Sequence, residues 1–227
     1  SSVSANTDAG FSIVTYSGNG VSGATLGHGL SQAPNFAICK RRNSTSNWRV
    51  GTDATGTLLD GYFNLTLSMA ADSTTYQAFN SSTITLGNSA DVNTTGGIGG
   101  SYVMYVFHDV EGYSKFGSYT GNGSADGTFV YTGFRPAWVM MKQTNATGNW
   151  YIWDDTRENI NPVNIYIRAN LSNAEGGTET GQAYFDFVSN GFKLRASSSD
   201  FGEGNTSGNT YIYMAFAENP FKYSTAK

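Results

Sequence analysis

Tyr211-Ile212-Tyr213-Met214-Ala215-Phe216 is the stretch on which the fold turns. Every position in it is apolar. A run this short, bounded by polar residues, reads as a strand covered on both faces. A near copy, Tyr102-Val103-Met104-Tyr105-Val106-Phe107, stands earlier in the chain. Working outward, Tyr16-Ser17-Gly18-Asn19-Gly20 returns as Tyr119-Thr120-Gly121-Asn122-Gly123. Pro34 pairs with Pro136, Lys40 with Lys142, Asn47 with Asn149, Trp48 with Trp150 and Asp53 with Asp155, all at one constant offset. The final strand pair needs a larger offset, so the later copy carries a short net insertion. A shared offset over Gly, Pro, Trp and Lys positions is the mark of an internal repeat. The expected division is a polar N-terminal arm (1–10), a first repeat (11–110), a short joint (111–118) and a second repeat (119–223).

Both copies read as strands. Residues 35–41 and 137–142 are apolar runs that end in a charge. Each leads through a polar turn to a second run from Trp48 or Trp150, which is a hairpin pattern. Residues 61–67 alternate, as a half-buried strand does. Residues 185–195 carry Asn190-Gly191 at their middle, a strong hairpin cue. Turn residues recur every 8–12 positions, as in β-sandwiches. The best helix candidate is 164–173. The reading is all-β: two tandem repeats of about seven strands forming concanavalin-A-like or jelly-roll-like sandwich units packed together. Two arrangements stay open here, one sandwich per copy or one composite sandwich with interleaved strands. The aromatic joint 112–117 favours halves that pack on each other.

Composition excludes several classes. The chain has 227 residues, 13% charged and 14% aromatic, with a net charge of −4. Disordered chains are charge-rich and aromatic-poor, so this one is folded. No basic stripe is present, so nucleic-acid binding lacks its electrostatic footprint. No apolar run approaches the ~20 residues of a membrane helix, so membrane insertion is not expected. One cysteine, Cys39, leaves no intrachain disulfide and no cysteine-based zinc site.

A family resemblance rests on particular residues. Phe11-Ser12-Ile13-Val14-Thr15-Tyr16 with Gly27-His28-Gly29-Leu30 and Pro34 resembles one repeat start. The run from Gly112 to Gly123 resembles the next. Tyr131-Thr132-Gly133-Phe134-Arg135-Pro136, Asn190-Gly191-Phe192-Lys193-Leu194-Arg195 and the run from Tyr211 to Phe221 extend it. Together they are similar to a tandem-repeat domain of virion and tail-fibre-like proteins of marine bacteriophages, usually likened to concanavalin-A-like sandwiches. The resemblance implies a structural place on a virion and supplies no catalytic residues.

Candidate sites each compete with a plainer role. A glycosidase needs two carboxylates across one bond, and the Glu-x-Asp-x-x-Glu spacing of sandwich glucanases is absent. Asp154, Asp155 and Glu158 cluster in sequence, but Asp155 aligns with Asp53, which suits a turn cap. His28 and His108 are not repeated and suit packing. Cys39 lies on an apolar strand and suits a small buried side chain. Residues 200–205 offer oxygens on a Gly-rich loop but fit no calcium-loop pattern. The leading ligand patch is Trp150, Tyr151, Trp153, Asp154 and Arg157, where rings would stack on sugar faces beside a charged pair. Lys40-Arg41-Arg42 with Arg49 forms a basic spot in the first copy only, suited to an acidic glycan, a neighbouring subunit or plain solvation. The expected function is a non-enzymatic bacteriophage virion part (tail fibre, receptor-binding tip or capsid decoration) on the virion exterior. It would bind a host-surface glycan or another virion protein, as a homo-oligomer with a trimer favoured. No cofactor and no metal is expected. A glycan-degrading enzyme and a ligand-free spacer are the alternatives.

Overall fold

A computed structural model of the chain describes residues 1–96, 99–176, 184–196 and 202–220. It divides into two compact units. Unit 1 comprises Ser1–Asn64 and Met69–Val110, and unit 2 takes Leu65–Ser68 with the chain from Glu111 onward.

Unit 1 holds β1 (Ser2–Asn6), β2 (Phe11–Ser17), β3 (Ala24–Gly27), β4 (Phe36–Arg41), β5 (Arg49–Thr52), β6 (Leu59–Tyr62), β7 (Tyr76–Phe79), β8 (Thr83–Leu86) and β9 (Ser101–Phe107). One sheet runs β1-β2-β9-β4-β5-β6 and a second β3-β8-β7. Burial alternates along β2 and β9, so each turns one face inward. Antiparallel register sets Val14 opposite Met104 and Tyr16 opposite Tyr102. Leu26, Ile84 and Leu86 of the smaller sheet join Val14, Ala37, Cys39 and Met104 of the larger in one buried cluster. The core therefore lies between the sheets.

Unit 2 holds β10 (Ser114–Thr120), β11 (Phe129–Tyr131), β12 (Pro136–Gln143), β13 (Trp150–Asp154), β14 (Ile167–Arg168), β15 (Phe185–Val188), β16 (Gly191–Leu194), the short helix α1 (Gly202–Asn205) and β17 (Thr210–Ala217). Its sheets run β10-β17-β12-β13-β14 and β11-β16-β15. The stretch that opens the sequence reading is β17, central between β10 and β12, with Tyr211 to Ala215 buried on both faces. The core here is aromatic. Trp153 stacks on Phe185 with centroids 5.2 Å apart, and Phe185 on Phe192 at 5.0 Å. Among the described residues, each sheet draws its members from one unit, and the structure is all-β apart from α1.

Four local expectations change. The N-terminal arm is strand β1, paired with β2 along its whole length, with all five residues exposed. Its Ser-Val-Ser-Ala-Asn sequence carries no charge or proline to oppose pairing. The expected joint ends early, because β10 begins at Ser114. The alternating run 61–67 is a strand only as far as Tyr62, and Leu65–Ser68 groups with unit 2. Residues 164–173 are not a helix. The backbone N–H groups of Asn164 and Ile165 donate to the Glu158 carboxylate, and Ile167 and Arg168 pair with β13. β-Branched isoleucines and repeated asparagines are weak helix formers, so the sheet edge takes them.

Residues paired in the sequence hold matching positions. Lys40 Nζ donates to the carbonyl of Ser46, and Lys142 Nζ to that of Gly148 at 2.6 Å. Trp48 N donates to Asn64 Oδ1 and Trp150 N to Asn170 Oδ1, both at 2.9 Å. Asn64 Nδ2 in turn reaches Asn47 Oδ1, and Asn170 Nδ2 reaches Asn149 Oδ1, again both at 2.9 Å. The lysine therefore ties its own hairpin, and the asparagine pair clasps the strand start beside each tryptophan.

Candidate ligand-binding site

The loops at one end of each unit are built on an asparagine that sequence reading missed. Asn93 is 2% exposed. Its Oδ1 accepts the N–H groups of Asn19 (2.8 Å) and Gly20 (3.2 Å), and its Nδ2 donates to Gly87 O and Val21 O. Asn205 serves unit 2 in the same manner. Its Oδ1 accepts Asn122 N, and its Nδ2 donates to Ser124 O and Ala196 O. Stacked tyrosines brace both loops. Tyr16 lies 5.1 Å from Tyr102 and donates to Val92 O, while Tyr119 lies 5.0 Å from Tyr211 and donates to Gly204 O. Thr94 N donates to Tyr102 Oη, and Thr206 N to Tyr211 Oη. Gly18 is required by close approach, since a Cβ there would sit 2.6 Å from the Thr94 backbone.

On this frame unit 1 carries an open polar cleft of about 260 Å³. Ser2, Thr15, Ser17, Arg42 and Ser101 line it, with the buried edge of Tyr16. Two smaller clefts of about 160 Å³ adjoin it. One adds Asn43 and Thr95, the other Asn19, Thr25 and Asn93, and Ser17 borders all three. Arg42 is placed by its backbone N–H, which donates to Ser101 O at 2.7 Å. Asn43 Oδ1 accepts Ser101 N.

The basic spot separates into four different roles. Lys40 is tied to its hairpin. Arg41 donates to Gly99 O at 3.2 Å and to Asn43 Oδ1. Arg49 is 5% exposed, forms an ion pair with Asp60, donates to Thr75 Oγ1 at 2.7 Å, and lies 4.2 Å from the Tyr62 ring centroid. Burial pushes the Asp60 carboxyl up to about 6 against the pull of Arg49. Arg42 alone of the four is exposed, and its guanidinium has no hydrogen-bond or ion-pair partner among the described residues.

The aromatic patch expected from sequence is not a sugar platform. Trp150 is 1% exposed, Tyr151 3% and Trp153 0%. Strand β13 is interior, between β12 and β14, so Tyr151 and Trp153 point into the unit 2 core and stack on each other at 5.7 Å. Asp154 and Arg157 are brought together, but as a local ion pair at 2.9 Å. Asp154 Oδ1 also accepts the N–H groups of Thr156 and Arg157, so it caps its own turn. Glu158 is occupied by Asn164 N and Ile165 N, and burial raises the Asp155 carboxyl.

The remaining candidates are structural in their surroundings. Both histidines are buried. His28 Nδ1 accepts Leu30 N, its Nε2 contacts Asn80 O, and burial lowers its pKa. His108 Nδ1 lies 2.7 Å from Asp109 O and from Gln32 Nε2, and its Nε2 lies 3.4 Å from Ser31 Oγ. With Gln32 and a main-chain carbonyl crowding Nδ1, this ring ties the β9 end to the loop before β4. The Cys39 thiol is fully buried beside Tyr16 Oη and pushed up to about 12, far from a reactive thiolate. No group of three or more metal-ligating side chains occurs among the described residues. Asp200 and Phe201 of the Gly-rich loop 200–205 lie outside those residues. Asn205, at its end, is spent on the loop frame.

The family model for a domain of unknown function, DUF7483, matches residues 1–220, and the chain belongs to that family. Comparison with curated proteins and with solved structures returns no match.

Proposed function

We propose that this DUF7483 member is a non-enzymatic exterior component of a bacteriophage virion: a tail-fibre, receptor-binding or capsid-decoration part. In this reading it holds a host-surface glycan or a neighbouring virion protein on the loop end of unit 1. The observation that carries the reading is the open cleft around Ser17. Its serine and threonine hydroxyls and the Arg42 guanidinium have no protein partners among the described residues, whereas the polar groups that build the neighbouring loops are engaged. Unsatisfied, water-exposed polar groups on a rigid frame are what a binding surface presents before its ligand arrives. The matching strand orders and asparagine frames further support descent from a duplicated unit. The carboxylates beside buried aromatics cap turns, which fits binding better than hydrolysis.

A homo-oligomer, with a trimer favoured, is part of the same proposal, because fibres are symmetric assemblies. The test combines two readouts on one polysaccharide panel: retention of the protein and release of reducing ends. Retention without release is expected. Release that scales with protein concentration would establish the hydrolase alternative instead.

A further inference from the structure

We infer that the unit 1 cleft binds an anionic polysaccharide chain, with Arg42 taking the carboxylate or sulfate and the surrounding hydroxyls taking the sugar ring. The inference deepens the proposed function and rests on it. Its argument starts from a comparison inside the molecule. Both units build the same loop end with the same parts: a buried asparagine, stacked tyrosines, and a backbone bond from the residue just after β4 or β12. Arg42 N donates to Ser101 O, and Thr144 N donates to Thr210 O. Asn43 Oδ1 accepts Ser101 N, and Asn145 Oδ1 accepts Thr210 N, both at 3.2 Å. What the two ends share is accounted for by folding. Two things differ: unit 1 alone has β1, whose Ser2 lines the cleft, and the residue after the strand is Arg42 in place of Thr144. Thr144 turns its hydroxyl back onto Thr210 O at 3.1 Å, whereas Arg42 stands exposed in the cleft. The arginine is not needed for the frame, so its charge is free for a ligand.

The chemistry of the lining selects the class. Hydroxyls donate and accept, which matches a ligand with hydroxyls of its own. A single unpaired guanidinium matches one carboxylate or sulfate, held by paired N–H donors. About 260 Å³ lies below the roughly 300–1,000 Å³ of sites for drug-sized molecules, and suits a ring or two of a longer chain. The two adjoining clefts, which share Ser17 with it, give that chain room to continue. Single-stranded nucleic acid is the other anionic chain of similar width. It is held largely by stacking on exposed rings. The one ring at this cleft, Tyr16, is 8% exposed and already stacked on Tyr102.

The test is retention of the full chain on immobilised polygalacturonate, dextran sulfate, neutral dextran and poly(dT), with wild type, Arg42→Thr and Arg157→Thr. Arg42→Thr installs the unit 2 residue at an exposed position, and an unchanged melting temperature shows that it folds. Arg157→Thr removes the same charge in unit 2. Expected is retention on polygalacturonate or dextran sulfate, weakened about tenfold or more by Arg42→Thr and unchanged by Arg157→Thr. Whichever polymer is held tells carboxylate from sulfate. Equal retention on neutral dextran overturns the inference and leaves glycan binding standing. Preferential retention on poly(dT), or equal loss in both variants, overturns it as well. No retention on any polysaccharide overturns this inference together with the glycan reading beneath it.

Discussion

Asn93 and Asn205 show how much a single buried side chain can organise. Each satisfies main-chain groups on segments far apart in sequence, groups that would otherwise lie inside without partners. An unmade buried hydrogen bond costs about 1–3 kcal/mol. Asn93→Ala is therefore expected to lose on the order of 3 kcal/mol of unfolding free energy in a denaturant titration, and to abolish ligand retention with it. Arg42→Thr is expected to leave stability unchanged, so the two variants separate frame from contact. Asp60 gives a residue-scale pH signature. Its folded value near 6 stands above the unfolded value of about 4, because burial and the nearby Asp72 charge outweigh the pull of Arg49 and Thr75. The protonated form is favoured by folding, so its contribution is whole below pH ~4 and is lost as pH rises through about 6. The stability of wild type relative to Asp60→Asn should accordingly fall between pH 4 and 7. A difference that is flat or rises over that range would contradict the assignment.

At the scale of elements, β13 decides whether unit 2 offers a ligand surface. Trp153 is stacked on Phe185 and has no exposed area. Trp153→Ala is expected to cost about 3–5 kcal/mol by opening a cavity, while polysaccharide retention measured on the folded fraction stays unchanged. Loss of retention with stability intact would restore the stacking platform. The edge between β13 and β14 also shows one contact written two ways. Arg49 on β5 lies over Tyr62 on β6, and Tyr151 on β13 lies under Arg168 on β14, with each pair directly opposed in register. The rung keeps its cation–ring contact with the partners exchanged. Gly18 and Gly121 are pressed against Thr94 and Thr206, with a Cβ reaching 2.6 and 2.4 Å from their backbones. Gly18→Ala should displace the loop frame and melt earlier than wild type.

Over the whole molecule, what the sequence disclosed follows the range of the interactions involved. β17 was readable because five consecutive buried residues leave a continuous apolar run. The hairpin of β15 and β16 was readable because Asn190-Gly191 acts locally. The Arg42 spot was readable as charge. Asn93 and Asn205 were not, because an asparagine spent on distant main chain looks like any loop asparagine. The one available signal was Asn93-Thr94 and Asn205-Thr206, recurring before the strands that begin at Ser101 and Thr210. The aromatic patch was misplaced because alternation along 150–154 gives no sign of which sheet face is covered. Trp150, Tyr151 and Trp153 are all enclosed, since β13 is flanked on both sides and faces a core. Residues 61–67 misled for the opposite reason: a strand-like pattern ends at Tyr62 because the chain there leaves unit 1.

The central claim is that two similar frames carry one ligand site, at the loop end of unit 1. Its most direct test is a backbone NMR titration of the full chain with a galacturonate oligosaccharide and a sulfated dextran oligosaccharide. The account expects saturable shifts confined to Ser17, Asn19, Arg42, Asn43 and Ser101, and none at Thr120, Asn122 or Thr144. Shifts centred on unit 2, or none with either ligand, would contradict it.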